Sequence, residues 1–329
     1  MACLRLSSRE DQLGTKRLLS LVIKIKFLWP LRAIGFLNIN YGVNIMRELL
    51  NKVLGFIFFF SKKTKHFLWK KIYDRLANTY EIFDWAFMNY GFDYADKSRE
   101  PRLKKEDEKY RYCIQLYHHT VEKISLKGKT VLEVGSGRGG GTSYIARYMF
   151  PKKITGVDYS KNAVVLCNKI HSEDNLEFLE GDASSLPFEK NSYDVVVNVE
   201  SSHCYPSIPR FLSEVERVLR PGGLFAWTDL CPEKAMASYE KDFGRSGMKC
   251  VESYEITDSV LRALNKETIN KTKNSLIKNN VPLHLRGLMK DFSGIKDTGI
   301  YKTLKDGRTK YWFKVFQKTG GEKNESNTL

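Results

Sequence analysis

Short β-branched apolar runs alternate with helical stretches from residue 129 onward. This alternation predicts βαβ units on a parallel sheet, because each strand of such a sheet is followed by a helix that returns the chain. The predicted strands are 129–135, 153–158, 176–182, 193–200 and 223–229, a sixth near 249–256 and a last at 309–318. Helices are predicted to begin near Thr142, Ser160 and Ile208, and another lies near 233–245. A Pro-Gly-Gly turn at 221–223 is expected to separate a helix from the fifth strand.

The rest of the chain divides into an arm, a helical cover and a tail. Residues 1–61 form a basic, apolar arm, and the aromatic-rich residues 62–125 are predicted to be helical. The core at 126–318 carries a predicted helical insertion at 258–292, and residues 319–329 are predicted to be disordered because they offer little to bury.

Positive charge is concentrated near the N-terminus. The net charge is +16, and residues 1–75 hold 15 Lys and Arg against 4 Asp and Glu. The longest uncharged apolar run there, 53–60, has 8 residues, whereas a spanning helix needs about 20. Basic residues beside aromatic ones suit a segment lying on an anionic membrane surface. An organelle-targeting segment, or a start of the chain at Met46, are the alternatives.

The sequence indicates neither a nucleic-acid partner nor a metal site or disulfide framework. The basic residues are not interleaved with a recognisable nucleic-acid module, so we expect no nucleic-acid partner. The six cysteines are scattered without a CxxC pair, which predicts neither a metal site nor a disulfide framework and favours a reducing, intracellular compartment.

The first predicted strand runs directly into the glycine-rich stretch GSGRGGG at 135–141. Glycines allow a ligand to approach the backbone, and the N-terminus of the next helix offers free N–H groups. Gly135, Gly137 and Gly140 satisfy the GxGxxG spacing of a nicotinamide-dependent reductase. The same stretch suits an S-adenosylmethionine site, and a simple turn is the third interpretation.

The acidic residues that follow favour S-adenosylmethionine. Asp158 ends the second strand, where a carboxylate accepts hydrogen bonds from the ribose hydroxyls of either cofactor. Asp182 and Ala183, after the third strand, are placed to meet an adenine amino group, although Asp182 also suits a helix N-cap. Glu133 suits the cationic amino end of a methionine moiety, and a phosphate-binding loop would gain little from an acid at that position.

Taken in order, LEVGSGRGGG, GVD, GDASSLPF, YDVVVNVE and VLRPGGLF resemble the class I S-adenosylmethionine-dependent methyltransferases. That resemblance implies a Rossmann-like α/β fold whose seven-stranded sheet has the order 3-2-1-4-5-7-6, with strand 7 antiparallel and helices on both faces. QLYHHT, GRGGGTSYIAR, VVNVESSHCYP and RFLSEVERVLRPGG further resemble the mycobacterial phthiotriol/phenolphthiotriol dimycocerosate methyltransferases, which O-methylate a hydroxyl on a hydrophobic lipid. This resemblance covers about residues 70–318 and leaves the arm without a counterpart.

The resemblance also directs attention to the residues after the fourth strand. His203 lies at the edge of the sheet where ligands bind, and we expect it to be the general base that removes the acceptor's proton. A histidine that only holds the loop, or that positions the substrate, is the alternative. Glu200 is expected to orient His203 or to bind the cofactor.

The remaining candidate residues belong to the cofactor site and to the acceptor site. We expect these residues to bind S-adenosylmethionine: Glu133, Gly135, Gly137, Gly139, Asp158, Asp182, Ala183, Asn198 and Glu200. Weaker candidates for the acceptor site are His118, His119 and Tyr205, for which packing is the alternative.

The sequence therefore predicts a methyltransferase that acts on a hydroxyl of a hydrophobic, lipid-like molecule at an intracellular membrane surface, such as that of the endoplasmic reticulum or mitochondrion. Its helices at 67–94 and 258–292 would cover the acceptor pocket. The alternatives are C-methylation of a sterol or prenylated quinol, a nicotinamide-dependent reductase, and an inactive cofactor-binding partner protein.

Overall fold

A seven-stranded sheet forms the centre of the fold, in the order β3-β2-β1-β4-β5-β7-β6. The structure, a computed structural model, describes residues 86–319 except 282, 284 and 285. The strands are β1 Thr130–Val134, β2 Lys153–Asp158, β3 Leu176–Glu180, β4 Tyr193–Val199, β5 Leu219–Pro232, β6 Met248–Glu255 and β7 Thr309–Lys318. β7 is antiparallel to both β5 and β6, and the other neighbours are parallel. The predicted strand order and the antiparallel last strand are confirmed.

Helices flank the sheet and form the predicted insertion between β6 and β7. They are α1 Arg111–Val121, α2 Gly140–Tyr148, α3 Lys161–Ile170, α4 Ile208–Val218, α5 Glu233–Arg245, α6 Thr257–Leu264, α7 Glu267–Asn280, α8 Arg286–Phe292 and α9 Gly299–Lys305. Ser160 and Ser207 cap α3 and α4 by accepting hydrogen bonds from backbone N–H groups three residues later. These caps explain why both helices begin where the sequence predicts.

The core lies on both faces of the sheet, because adjacent strand residues point to opposite sides. Val131 and Val195 are buried in one apolar cluster, and their neighbours Leu132 and Val196 in the other. The first cluster includes side chains of α1, α2 and α6, and the second includes those of α4 and α5. The sheet is therefore packed against helices on both of its faces.

The start of β5 differs from the prediction. α4 ends at Val218 and β5 begins at Leu219, before the Pro-Gly-Gly stretch and not after it. Tyr193 pairs with Leu219, whereas Val195 pairs with Leu224, so two steps along β4 face five along β5. The Pro-Gly-Gly residues thus form a bulge within the strand and do not precede it.

Residues 86–96 carry no helix, which corrects the prediction of a helical segment across 62–125. Phe92 N donates to Tyr112 O at 2.9 Å, Asp93 N donates to Ser259 O at 3.1 Å, and Gly91 has a φ of +85°. Hydrogen bonds to distant backbone therefore replace the bonds within a helix, in a segment whose Asn, Asp, Gly and aromatic residues are weak helix formers. Within the described part of 62–125, the α-helix is limited to α1, with 3₁₀ turns at Lys97–Arg99 and Lys105–Tyr110.

The predicted arm at 1–61 lies outside the described residues, as do residues 62–85 and the tail beyond Thr319. In the part of the chain that is described, no helix combines the length and the apolar character needed to cross a bilayer.

Candidate active site

The glycine loop between β1 and α2 forms one wall of a cavity at the carboxyl edge of the sheet. Gly135 and Gly137 have φ values of +80° and +55°, a region that side chains disfavour. A Cβ at Gly135 would lie 2.3 Å from Ser201 Oγ, so the loop after β4 packs directly on this glycine. Glycine is required here both by the backbone conformation and by the close approach of another loop.

The cavity itself has a volume of about 160 Å³ and reaches the ends of β2, β3 and β4. Residues 86–89 cover part of it, and Ala86 O accepts a hydrogen bond from Gly140 N at the start of α2. The predicted site residues that line it are Gly135, Gly137, Asp158, Asp182, Ala183, Glu200 and Tyr205. Most of the site residues predicted from the sequence therefore lie on the wall of a single cavity.

The two aspartates at the strand ends are held by backbone N–H groups. Asp158 accepts hydrogen bonds from Gly137 N at 2.8 Å and from Ser160 N at 2.9 Å. Asp182 accepts a hydrogen bond from Ser184 N at 2.7 Å and caps a turn, and no helix follows it. Both carboxylates are fixed at the cavity wall, where they can accept hydrogen bonds from a ligand.

Glu133 does not line the cavity, because it lies behind the glycine loop with none of its surface exposed. Its carboxylate accepts hydrogen bonds from Tyr117 Oη at 2.7 Å and from Thr142 Oγ1 at 2.5 Å. Burial raises the pKa of Glu133 to about 7, although these two hydrogen bonds oppose the rise. The residue thus joins α1 and α2 beneath the loop. Gly139 also lies away from the cavity, against His171 and Phe178.

Asn198 braces the glycine loop from β4. It is fully buried, and its Nδ2 donates to Val134 O and to Ser201 Oγ at 2.8 Å each, and to Tyr205 Oη at 3.1 Å. The Tyr205 hydroxyl in turn donates to Val134 O at 3.2 Å. The ends of β1 and β4 are therefore locked together next to the cavity, with Tyr205 on its wall and Asn198 behind it.

Glu200 lies on the cavity wall in a strained backbone conformation. Its φ is +50°, and its N donates to Thr228 O at 2.8 Å. Its Oε2 accepts hydrogen bonds from Tyr90 N at 2.8 Å and from Tyr311 Oη at 2.7 Å. Burial raises the pKa of Glu200 to about 7, against the opposing effects of these bonds and of nearby His203 and Lys273. Strain of this kind is typical of functional positions.

His203 forms a pair with Asp229, which lies in the buried part of β5. Its Nδ1 lies 2.7 Å from Asp229 Oδ1, and its backbone N donates to Oδ2 at 3.0 Å. Asp229 is fully buried, whereas the His203 side chain is 30% exposed. Burial alone would lower the pKa of His203, but Cys204 and Asp229 outweigh it and hold this pKa well above 6.5.

Asp229 is a site residue that the sequence reasoning missed. Ser202 Oγ also donates to it at 2.6 Å, and Leu230 N donates to it at 2.8 Å. A signal was available, because Asp229 ends an apolar strand run as Asp158 does. The pair itself is next to the cavity and not in its wall, since Cys204 and Glu200 lie on the wall while His203 does not.

His118 and His119 are not brought to the cavity. His118 Nδ1 lies 2.8 Å from Tyr144 Oη, and His119 Nδ1 lies 3.1 Å from Glu122 Oε1. The ring of His119 also stacks on Phe92 at 4.1 Å between ring centres. Both histidines pack against neighbouring side chains on the far part of α1, and this placement favours the packing interpretation over an acceptor site.

The comparison with known proteins identifies this arrangement. A family model described as a methyltransferase domain matches residues 132–227. The phthiotriol/phenolphthiotriol dimycocerosates methyltransferase of Mycobacterium leprae (strain TN) is 37% identical over 251 residues, which cover 76% of this chain and 92% of that protein. The chain belongs to this family of class I S-adenosylmethionine-dependent methyltransferases.

Further relatives agree with this assignment. The fatty-acid O-methyltransferase of Mycolicibacterium smegmatis is 36% identical to this methyltransferase over 249 residues, covering 76% of this chain and 89% of that protein. Among solved structures, geranyl diphosphate C-methyltransferase from Streptomyces coelicolor A3(2) aligns with a TM-score of 0.54 at 16% identity, over 76% of this chain and 97% of that one. The structural likeness shows the fold alone.

The methyltransferase uses S-adenosylmethionine, and its glycine loop is not that of a nicotinamide-dependent reductase. The residues present fit this cofactor. Gly135 and Gly137 of the loop line the cavity, and Asp158 and Asp182 on the same wall offer acceptors for the hydroxyl and amino donors of an adenosine. Carboxylates on the wall also suit a cationic ligand better than they suit a phosphate.

Proposed function

We propose that this methyltransferase transfers its methyl group to a hydroxyl of a hydrophobic, lipid-like molecule. The observation that carries the proposal is the His203–Asp229 pair beside the cofactor cavity, because a hydroxyl acceptor must lose a proton and this pair offers a positioned base. The names of the mycobacterial relatives, a lipid methyltransferase and a fatty-acid O-methyltransferase, support a lipid acceptor.

The geometry of the pair assigns a role to each atom. Asp229 Oδ1 accepts the hydrogen bond of the Nδ1–H group of His203, so the neutral imidazole presents Nε2 as the proton acceptor. Two further hydrogen bonds, from Ser202 and Leu230, hold the Asp229 carboxylate in place. Bound S-adenosylmethionine supplies a methyl group on a positively charged sulfur, and the protein contributes alignment and removal of the proton.

The raised pKa of His203 has a consequence for this role. The raised pKa favours the protonated imidazole, and only the neutral form accepts a proton. The rate is therefore expected to rise with pH until the pH exceeds this raised pKa, and the ascending limb should lie above the usual range for histidine.

The cofactor site is assigned in the same proposal. Asp158 would hold the ribose hydroxyls, and Asp182 with Ala183 would hold the adenine. Gly135 and Gly137 would allow the cofactor to approach the backbone of the loop closely, and Glu200 would border the methyl-bearing end of the cofactor. Glu133, Gly139 and Asn198 would act from behind the wall by shaping the loop.

A second candidate is transfer to carbon, in a sterol or prenylated quinol. The observation in its favour is Glu200, a carboxyl on the cavity wall whose pKa of about 7 suits removal of a proton from carbon as well as from oxygen. The basic arm would keep the enzyme at an anionic membrane surface, where either acceptor resides.

Identification of the methylated atom tests the proposal. The enzyme is incubated with carbon-13 methyl-labelled S-adenosylmethionine and a lipid extract, and the labelled product is isolated for carbon-13 NMR. A methoxy signal is the expected result. A methyl signal on carbon would replace the proposal by the second candidate, and label confined to water-soluble products would reject a lipid acceptor.

A further inference from the structure

A second, narrower cleft opens beside the cofactor cavity, between the start of α1 and the inserted helix α7. Phe87 and Met88 line both spaces, so the two are adjacent. The cleft has about a quarter of the volume of the cavity. Its apolar wall consists of Tyr110, Cys113, Ile269, Leu276 and Ile277. A small space with an apolar wall suits one hydrocarbon chain better than several, and we call it the lysine cleft after the two lysines described next.

The lysine cleft carries positive charge. Lys109 and Lys273 line it, and among the described residues no acidic side chain does. Lys273 Nζ donates to Ser293 O at 2.8 Å and to Asn89 O at 3.4 Å. An ammonium group has three N–H donors, and neutral carbonyls take up two of them here. Burial lowers the pKa of Lys273, although Cys113 and Glu200 act in the opposite direction.

Lys273 is connected to the wall of the cofactor cavity through Tyr90. Its Nζ is 5.5 Å from the centre of the Tyr90 ring, and Tyr90 N donates to Glu200 Oε2 on the wall of the cofactor cavity. A ligand group bound to Lys273 would thus be close to the place of methyl transfer. The chain attached to that group would extend along the apolar side chains of α7.

We propose that the lysine cleft binds the hydrocarbon chain of the methyl acceptor and that Lys273 recognises an anionic oxygen near the oxygen that receives the methyl group. A partly desolvated cation held by neutral carbonyls gains most from an anionic partner. The acceptor would therefore be a single-chain amphiphile that carries a carboxylate or a phosphate monoester. The inference rests on the proposed transfer to a lipid-like acceptor and assigns Lys273 a role in specificity.

Binding of three matched probes tests this assignment. Decanoate, decyl phosphate and decanol share one chain and differ in the polar group, and each is titrated by calorimetry below micelle-forming concentrations with S-adenosylhomocysteine present. The full-length enzyme is expected to bind at least one anionic probe about 10-fold more tightly than decanol. The anionic probe that binds more tightly shows whether the acceptor molecule carries a carboxylate or a phosphate. Equal affinity for all three probes would overturn the inference.

Two variants locate the binding. Lys273→Met is expected to weaken the preferred anionic probe about 10-fold and to leave decanol unchanged. Lys271→Met removes one positive charge from the exposed part of the same helix and should change neither. Leu276→Trp should weaken all three probes by filling the lysine cleft, with unchanged affinity for S-adenosylhomocysteine as the sign that the fold is intact. Wild-type affinity of Lys273→Met for the anionic probe would reject the role of Lys273.

The two proposals fail separately. If lipids are methylated but Lys273→Met has the KM of the wild type for the lipid acceptor, the lysine cleft is not the acceptor site and the proposed function stands. If anionic probes bind in a Lys273-dependent way but no lipid receives label, the lysine cleft is a binding site and the proposed function is wrong.

Discussion

The buried carboxyl of Glu133 leads to a prediction whose size follows from the structure. Its pKa of about 7 in the folded enzyme compares with 4.5 for an unperturbed glutamate, because burial disfavours the charged form. The folded state therefore binds the proton more tightly than the unfolded chain. The protein is most stable with respect to this group at low pH and loses stability as the pH rises from 4.5 to above 7.

The full loss corresponds to about 3 kcal/mol, of which about 2 kcal/mol falls between pH 5.5 and pH 8.5. Glu133→Gln removes the titration. Its amide oxygen still accepts a hydrogen bond from Tyr117, and its amide nitrogen can donate to the Thr142 hydroxyl after that hydroxyl rotates. The variant is expected to lose about 2 kcal/mol less than the wild type over this pH interval.

Urea unfolding at pH 5.5 and pH 8.5, followed by tryptophan fluorescence, measures this difference. Glu200 and His203 titrate in both proteins, so the comparison isolates Glu133. Glu252→Gln, which removes a surface carboxylate paired with Lys123, is the control and should follow the wild type. If the free energies of unfolding of Glu133→Gln and the wild type change in parallel with pH, the buried-carboxyl argument is refuted.

Four further predictions concern the site. Asp158→Ala is expected to weaken S-adenosylhomocysteine binding by at least 10-fold in calorimetry, and an unchanged affinity would mean that the cofactor lies elsewhere. His203→Ala should lower turnover by about 10²–10⁴-fold with unaltered cofactor affinity, and near-normal turnover would make His203 a structural residue. Asp229→Asn should move the ascending limb of the pH–rate profile to lower pH, because it removes a charge that raises the pKa of His203; a limb that stays in place would separate the two residues. Deletion of residues 1–61 should release the enzyme from anionic vesicles in a flotation assay without loss of cofactor binding, and persistent flotation would exclude the arm as the anchor.

The fold and the cofactor wall could be predicted from sequence because parallel strands end at one edge. An apolar run followed by a glycine or an acid places that residue at the edge, which is how Gly135, Asp158 and Glu200 were found. The same rule applies to Asp229, which ends the predicted fifth strand. Its role, however, depends on the contact with His203, 26 residues away, and the sequence pattern does not indicate that contact.

Two departures have a clear physical origin. Glu133 precedes the glycine loop, yet strand alternation puts it on the same face as Val131, under α1, and away from the cavity. Residues 86–96 are rich in aromatic residues, Asn, Asp and Gly, which are weak helix formers, and three of their backbone N–H groups donate to Tyr112, Ser259 and Glu200. Long-range hydrogen bonds of this kind leave no periodic trace in the sequence.

Transfer of a labelled methyl group into an organic lipid extract is the direct test that this methyltransferase acts on a lipid. The full-length enzyme is incubated with the extract and radiolabelled S-adenosylmethionine, beside a Gly137→Val variant. The added side chain would collide with Met88 on the wall of the cofactor cavity and is disfavoured at a φ of +55°. Label is expected in a lipid product with the wild type, and none with the variant. Label that stays in the aqueous phase, or that enters lipid equally with both proteins, would contradict it.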